Sequence, residues 1–339
     1  MGHGLLKRIG LSIFVLLGLS ILIFIIARVV PGDPARQALG PRAPEWAVQN
    51  LRQEMHLDKP LYAQYGLWLE GIARGDLGKS LVTRRPVNTD IREFLPATLE
   101  IVILSAFIMA VGGITLGVLS AKHSNSWLDG LMRIVSYLGI VTPAFVWAII
   151  FMLIFSYVFP LFPTTGRISP GFVPPPRITG MYTLDGLMTG NLATVWDAFL
   201  HLVLPAIALA MGGLAQAARI TRSSITDNMS KDYATAETAY GLPSGRILIK
   251  YLLKPSLIPT VSVMALDIAA LFGNAFLVEL IFNYPGLSRY GIEAMLNKDL
   301  NAISAVIMVL GVVFITMNIL IDILVGYLDP RIGLVGRRN

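Results

Sequence analysis

Three sets of residues in this chain of 339 have types and spacings that bear on chemistry. The first is Ala73-Arg-Gly-Asp-Leu-Gly78-Lys79-Ser80. A small residue, four of any kind and then Gly-Lys-Ser is the relaxed form of a phosphate-binding loop, whose backbone N–H groups and lysine cradle phosphates. Such loops follow a strand and open a helix. Here the preceding residues read as helix, and Asp76 would set a negative charge among the phosphates, so nucleotide binding is not expected.

The second set is polar and ionisable residues inside apolar runs: Asp267, Asn274 two turns further on, Glu279 and Asp322. Such groups are costly in a bilayer and mark solute paths or helix–helix contacts. Asp267 has two readings, a group lining a path for an ammonium or other cation, or a hydrogen bond between helices. With Asn274 and Glu279 it is a candidate for a translocation pathway, although Glu279 and Asp322, near helix ends, fit capping or subunit packing better. His201, at the start of an apolar run, reads as an interfacial anchor.

The third set is defined by what it lacks. There is no cysteine, which removes disulfides, thiolate metal sites and a cysteine nucleophile. His3, His56, His123 and His201 are scattered without ligand spacing, and Glu293 and Asp299 stand on a loop without a partner acid. No catalytic constellation, metal site or cofactor is expected.

The elements that position these residues follow from composition. Hydrophobic residues make up 55% of the chain and charged residues 14%, against about a quarter charged in soluble domains. Crossing a hydrocarbon core of about 30 Å takes about 20 apolar residues in a helix. Runs of that length cover about Ile9–Val30, Ala97–Ala121, Ile134–Phe159, Leu200–Ile220, Leu257–Phe282 and Ile303–Leu328. The expected fold class is an all-α membrane protein with six transmembrane helices. The first run follows Lys7-Arg8 as a signal peptide would. It is longer than the apolar core of one, about 7–15 residues, and no small-residue cleavage site follows.

Lysine and arginine set the orientation. With the N-terminus inside, the inner segments receive Lys122, Arg133, Arg222, Lys231, Arg246, Lys250 and Lys254, and the tail Arg331, Arg337 and Arg338. The short outer loops hold Arg167, Arg177, Arg289 and Lys298. By the positive-inside rule both termini are cytoplasmic. The net charge of +6 is then a topology signal, and nucleic acid is not expected as a partner. This orientation also puts Ala73–Ser80 outside the cell, where ATP is scarce.

Of the two long outer segments, Pro31–Leu95 is expected to hold short helices over Trp46–Met55 and Leu61–Ile72, and Pro160–Trp196 reads as an irregular cap. The inner segment Thr221–Pro259 is the most informative. Ser230 can cap a helix with Asp232 in its first turn, Gly241 suits the left-handed residue that ends one, and Pro243 stops it. A second short helix is expected to carry Ile247, Leu248, Tyr251 and Leu252 on one side, with Pro255 and Pro259 marking entry to the next run. A small-residue helix ending at a glycine corner can seat in a partner's groove. An amphipathic connector lying on the membrane is the alternative.

Asp232-Tyr233-x-x-Ala236 through Gly241-Leu242, with Pro259 eighteen residues after the glycine, resembles the "EAA" coupling loop of bacterial ABC-importer permeases. Within these the chain is most similar to the dipeptide/oligopeptide/nickel permease family. Further motifs in order are Pro31-Gly32-Asp33-Pro34, Leu57-Asp58-Lys59-Pro60-Leu61, Gly75-Asp76-Leu77-Gly78, Leu95-Pro96-Ala97-Thr98-Leu99-Glu100, Thr142-Pro143-Ala144-Phe145, Arg219-x-x-Arg222-Ser223, Glu279-x-Ile281-Phe282-x-x-Pro285-Gly286 and Asp329-Pro330-Arg331-Ile332. Thr235-Ala236-Glu237 stands where the family signature has Glu-Ala-Ala, and Tyr240 where it has lysine.

The resemblance implies a type I ABC-importer transmembrane domain: an N-terminal helix over 1–30, an extracytoplasmic segment over 31–96, a core permease domain over 97–329 with a coupling loop at 224–258, and a cytoplasmic tail at 330–339. Asp227–Gly241 would be the coupling helix, with Asp232, Tyr233, Ala236, Glu237, Gly241 and Leu242 meeting the ATPase. The implied partners are a paralogous second permease subunit, two cytoplasmic ABC ATPase subunits, an extracytoplasmic substrate-binding protein and the lipid bilayer of a bacterial or archaeal cytoplasmic membrane. ATP hydrolysis would belong to those partners, and the solutes would be di- or oligopeptides or similar small molecules. An ion-coupled secondary transporter or channel, with Asp267 as coupling group, is the alternative.

Overall fold

Long apolar segments fold as helices in lipid because hydrocarbon offers backbone N–H and C=O groups no other partner. The computed structural model describes residues 2–29, 33–54 and 56–328. Among these the only β feature is an isolated antiparallel bridge, Lys79 to Pro86. The helices are α1 (Gly2–Val29), α2 (Pro34–Leu39), α3 (Glu45–Glu54), α4 (Leu61–Ala73), α5 (Val87–Lys122), α6 (Trp127–Val141), α7 (Ala144–Met152), α8 (Tyr182–Met188), α9 (Leu192–Met229), α10 (Asp232–Ala239), α11 (Ser244–Ile281), α12 (Leu287–Leu296) and α13 (Leu300–Leu328).

Among the described residues four helices are long and apolar enough to cross a membrane: α5, α9, α11 and α13 over Leu300–Leu320. A fifth crossing results if α6 and α7 with its continuation to Val158 count as one broken span. The described apolar stretch of α1 is the shorter Gly10–Ile26. The run expected over Ile134–Phe159 is therefore not one straight helix. Pro143 has no N–H and forces the residue before it out of the helical region, Thr142 having ψ 123°. The two halves bend by 112°.

Two other expectations need correction. The second short helix expected ahead of Pro255 and Pro259 is not separate from the fifth apolar run, because Ser244–Ile281 is one continuous helical run. The prolines follow widened π turns over Ile247–Leu252, a local adjustment by which spanning helices tolerate proline. The segment Pro160–Trp196 is not wholly irregular, since it contains α8 and the first turn of α9. Its order comes from buried Asp185, which accepts N–H bonds from Ile178 (3.2 Å), Thr179 (2.7 Å) and Gly180 (2.9 Å) and the Thr179 hydroxyl (2.7 Å). Burial pushes the Asp185 carboxyl up, but these donors outweigh it and hold it below the usual carboxylate range.

The chain divides into two compact units. One comprises Thr98–Tyr284 and the described part of the chain from Met317. Among the spanning helices α9 is the most enclosed, with 56% of its most apolar stretch buried against 33% for α5 and α11. Small residues make this closeness possible. A Cβ on Gly113 would lie 2.6 Å from Ala217 Cβ, one on Gly117 2.6 Å from Thr221 Cβ, and one on Gly139 2.6 Å from Ala215 Cβ. This is the small-residue contact by which membrane helices gain van der Waals attraction when lipid gives no hydrophobic drive.

The other unit comprises Gly2–Ala97 and Pro285–Thr316. Val87, Ile91, Leu287, Tyr290, Ala294 and Ala305 form its core cluster. Separately, Ser20 of α1 meets the Tyr65 hydroxyl of α4 at 2.8 Å, and Phe24 stands edge-on to the Tyr65 ring. Helices α3 and α4 form where the sequence predicts them. The motif residues Pro31, Gly32 and Asp329–Ile332, and the Asp322 side chain, lie outside the described residues.

Candidate coupling and translocation sites

Helix α10 begins one residue later than its sequence suggests. Lys231 is the N-cap residue, while Ser230 ends α9 and donates its hydroxyl to Asp227 O at 2.8 Å. Asp227 thus belongs to the last turn of α9, not to a coupling helix. The C-terminus follows expectation. Gly241 has φ +78°, its N–H reaches Thr238 O at 2.9 Å, and the Leu242 N–H reaches Glu237 O at 3.3 Å. That pair of bonds is the glycine-closed helix end, and it turns the chain sharply.

Only Ala234 of α10 is buried. It joins Ala121, Ile225, Ile247, Leu248 and Leu252, with Leu242 packed against the group. Asp232, Tyr233, Ala236, Tyr240 and Gly241 are exposed, and Glu237 is half-buried. Tyr240 is 83% exposed, so the helix presents a broad free surface on a narrow foothold.

Below this foothold lies a charged clamp. Asp129 of α6 is fully buried and receives two bonds from the Arg222 guanidinium of α9, one at 2.7 Å, besides the Ser120 hydroxyl at 2.6 Å and the Asn125 N–H at 3.1 Å. It ties α5, α6 and α9 together. Arg222 stood out in the sequence within Arg219-x-x-Arg222, but nothing there pointed to its acid, 93 residues away.

Asp267 projects from α11 toward α9, its Cβ beside Gly213, which itself abuts Met109. The neighbouring cluster is apolar: Met109, Ala210, Ala217 and Met264 with Leu214 and Ile268. Asp267 Oδ2 is buried and has no hydrogen-bond partner among the described residues. Asn274, seven residues on and so near the same helix face, is exposed. Glu279 is elsewhere: fully buried, it accepts the Thr98 hydroxyl. The three pathway candidates are therefore not gathered into one site.

Near Glu279 is a buried network that the sequence did not disclose. Arg167 pairs with Glu100 at 2.8 Å, donates to Gly180 O at 2.9 Å and lies 3.6 Å from the Tyr182 ring centre. Glu100 also accepts the Thr183 N–H (2.7 Å) and hydroxyl (2.6 Å) and the Tyr284 hydroxyl (3.3 Å). Burial, and after it the Glu100 charge, raises the Tyr284 phenol well above its ordinary value, so it stays a neutral donor. His201 is also buried, with Nδ1 2.9 Å from Asp197 O, rather than an interfacial anchor. Helix α9 starts at Leu192 and carries it inside.

The phosphate-loop look-alike has a plain explanation. Ser80 Oγ (2.6 Å) and the N–H groups of Leu81 (2.6 Å) and Val82 (3.3 Å) donate to Asp299 Oδ2. Asp299 Oδ1 meanwhile accepts the Ala302 N–H in the first turn of α13. The loop does cradle an anion, but it is a carboxylate of the same chain. Among the described residues no group of acids and histidines could hold a metal ion.

Residues 113–334 match the family described as "Binding-protein-dependent transport system inner membrane component", and residues 1–102 match its N-terminal counterpart. The chain belongs to this permease family. The permease is 37% identical over 321 residues to the probable D,D-dipeptide transport system permease protein DdpB of Escherichia coli, covering 95% of this chain and 94% of that one. It is 36% identical to the dipeptide transport system permease protein DppB of Alkalihalophilus pseudofirmus, over 96% of this chain and 98% of that one. It is 31% identical to the Escherichia coli glutathione transport system permease protein GsiC, over 96% and 97% of the two chains. The permease is thus a multi-pass membrane subunit of an ABC importer rather than an enzyme, and ATPase and substrate-binding partners are general to such systems.

Proposed function

We propose that the permease translocates di- or oligopeptides delivered by an extracytoplasmic binding protein, through a path completed by a paralogous second permease subunit in a bacterial or archaeal cytoplasmic membrane. The chain crosses six times with both termini inside, α1 serving as the first span and the α6–α7 pair as the third. Residues 1–30 are the N-terminal span, 31–96 the extracytoplasmic segment, 97–329 the core with its coupling loop at 224–258, and 330–339 the tail. The importer has two cytoplasmic ATPase subunits, one of which grips α10 through Asp232, Tyr233, Ala236, Glu237, Gly241 and Leu242.

The observation that carries the coupling role is the exposure of α10. A helix held by one buried residue, Ala234, and closed by Gly241 offers nearly all its surface to a partner. Movement of that partner is transmitted to α5 and α9 through Ala121 and Ile225, biasing two states of the permease. Asp267 and Asn274 line the path, where the unpartnered carboxylate suits a peptide ammonium, and Glu279 braces the helix from within. The relatives named for dipeptides and glutathione support the peptide class.

The test is uptake of a labelled dipeptide by vesicles containing the assembled importer, with and without vanadate. Import is expected to stop when the ATPases are inhibited. Import that survives vanadate and follows an ion gradient would replace this reading with ion-coupled transport through Asp267.

A further inference from the structure

Between α6 and α9, with a wall from α5, is a cavity of about 310 Å3, at the small end of the range for molecules bound by proteins. Its walls are largely apolar, with Leu131, Met211 and Leu214 prominent, yet Arg133, Arg219 and Arg222 also line it and no acidic side chain does. Asp129 lies behind the wall, bonded to Arg222 and 3.6 Å from Arg133. Two of the three guanidiniums, those of Arg222 and Arg133, thus share one carboxylate. Arg219 is exposed and has no ion-pair partner among the described residues.

The depth of these arginines follows from the sequence of α9. The helix has 38 residues, about 57 Å at 1.5 Å per residue, well beyond a hydrocarbon core of about 30 Å. Its residues are mostly apolar up to Ile220, and Thr-Arg-Ser-Ser follows. Arg219 and Arg222 therefore stand where α9 leaves the hydrocarbon for the headgroups, while Met211 and Leu214, one to two turns earlier in α9, lie on the hydrocarbon side. An apolar slot capped by surplus positive charge at headgroup depth has the chemistry of an anionic lipid site.

We propose that this cavity binds an anionic glycerophospholipid of the leaflet nearest α10, its acyl chain against Val135, Met211 and Leu214 and its phosphate between Arg133 and Arg219. The bound lipid braces α6 against α9 next to the foothold of α10, since Ser120 precedes Ala121 and Arg222 lies one turn before Ile225. Lipid composition then tunes how movement of α10 reaches the spans, a consequence that rests on the coupling role proposed above. Occupancy itself does not.

The test uses the assembled importer in nanodiscs of phosphatidylcholine carrying a trace of photoactivatable phosphatidylglycerol or photoactivatable phosphatidylcholine, with labelled peptides mapped by mass spectrometry. Phosphatidylglycerol is expected to label α6 and α9 around Val135 and Met211 preferentially. The preference should fall about fivefold for each of Arg133→Gln and Arg219→Gln, the worth of one basic side chain at an anionic surface. Arg222 is left intact because it holds Asp129. Excess inorganic phosphate should leave the labelling unchanged. Equal labelling by both lipids would overturn the proposal, as would displacement by free phosphate or crosslinking of these positions to the second permease subunit instead of lipid. In the wild-type complex, titrating unlabelled phosphatidylglycerol should remove the label and change vanadate-sensitive ATPase activity over the same range. Labelling without that change would overturn the coupling consequence and leave the site intact.

Discussion

Gly117→Ala is the most exacting test of how the Thr98–Tyr284 unit is held together. The added Cβ would sit 2.6 Å from Thr221 Cβ, 2.7 Å from Ala218 O and 3.0 Å from Thr221 Cγ2. Ordinary carbon contacts are about 3.5–4.0 Å. Thr221 Cβ and the Ala218 carbonyl are fixed to the backbone and cannot rotate aside, so α5 and α9 must part by about 1 Å. A radial gap of that size forfeits roughly a quarter to a half of each dispersion contact, including those at Gly113, where Ala217 is equally close. Overpacking of this kind costs about 1–3 kcal/mol, and the upper half of that range is expected here. Gly130→Ala is the control, for nothing lies within 4 Å of its added Cβ. It should instead gain up to about 1 kcal/mol of helix propensity. The assay is unfolding of the purified permease by sodium dodecyl sulfate titration in mixed micelles, followed by tryptophan fluorescence. Shifts of the same sign and size for the two variants would refute the close-packing argument.

Gly241→Val puts a β-branched residue at φ +78°, costing about 1–2 kcal/mol or more. ATPase co-purification should fall while membrane insertion is normal, and unchanged co-purification would count against α10 as the docking element. Asp129→Asn removes the charge shared by Arg222 and Arg133 and should destabilise the permease by about 1–3 kcal/mol. In a double-mutant cycle with Arg222→Gln the losses should be less than additive, and strict additivity would deny the clamp. Asp267→Asn should change dipeptide uptake while the complex assembles normally, whereas loss of the complex would assign Asp267 to packing.

Sequence and structure divide the account along physical lines. The helical content, the presence of several spans and the Gly241 corner were legible locally. Each depends on the residues of one segment: a run of apolar side chains, or a glycine that alone tolerates positive φ. The break at Pro143 was also present locally, since a proline constrains its predecessor, but the size of the bend was not. The start of α10 shifted from Ser230 to Lys231 because the end of α9 claimed the serine.

What tertiary structure alone decided is the partnership of polar groups distant in the chain. Asp129 with Arg222, Glu100 with Arg167, and Ser80 with Asp299 are 93, 67 and 219 residues apart. Buried charge must be matched, and the match is made in space rather than in sequence. The same reason separates the candidates that looked alike. The sequence could say that Asp267 and Glu279 were both costly inside an apolar run. Only the packing of α11 against α5 and α9 gave Glu279 a donor in Thr98 and left Asp267 Oδ2 with none.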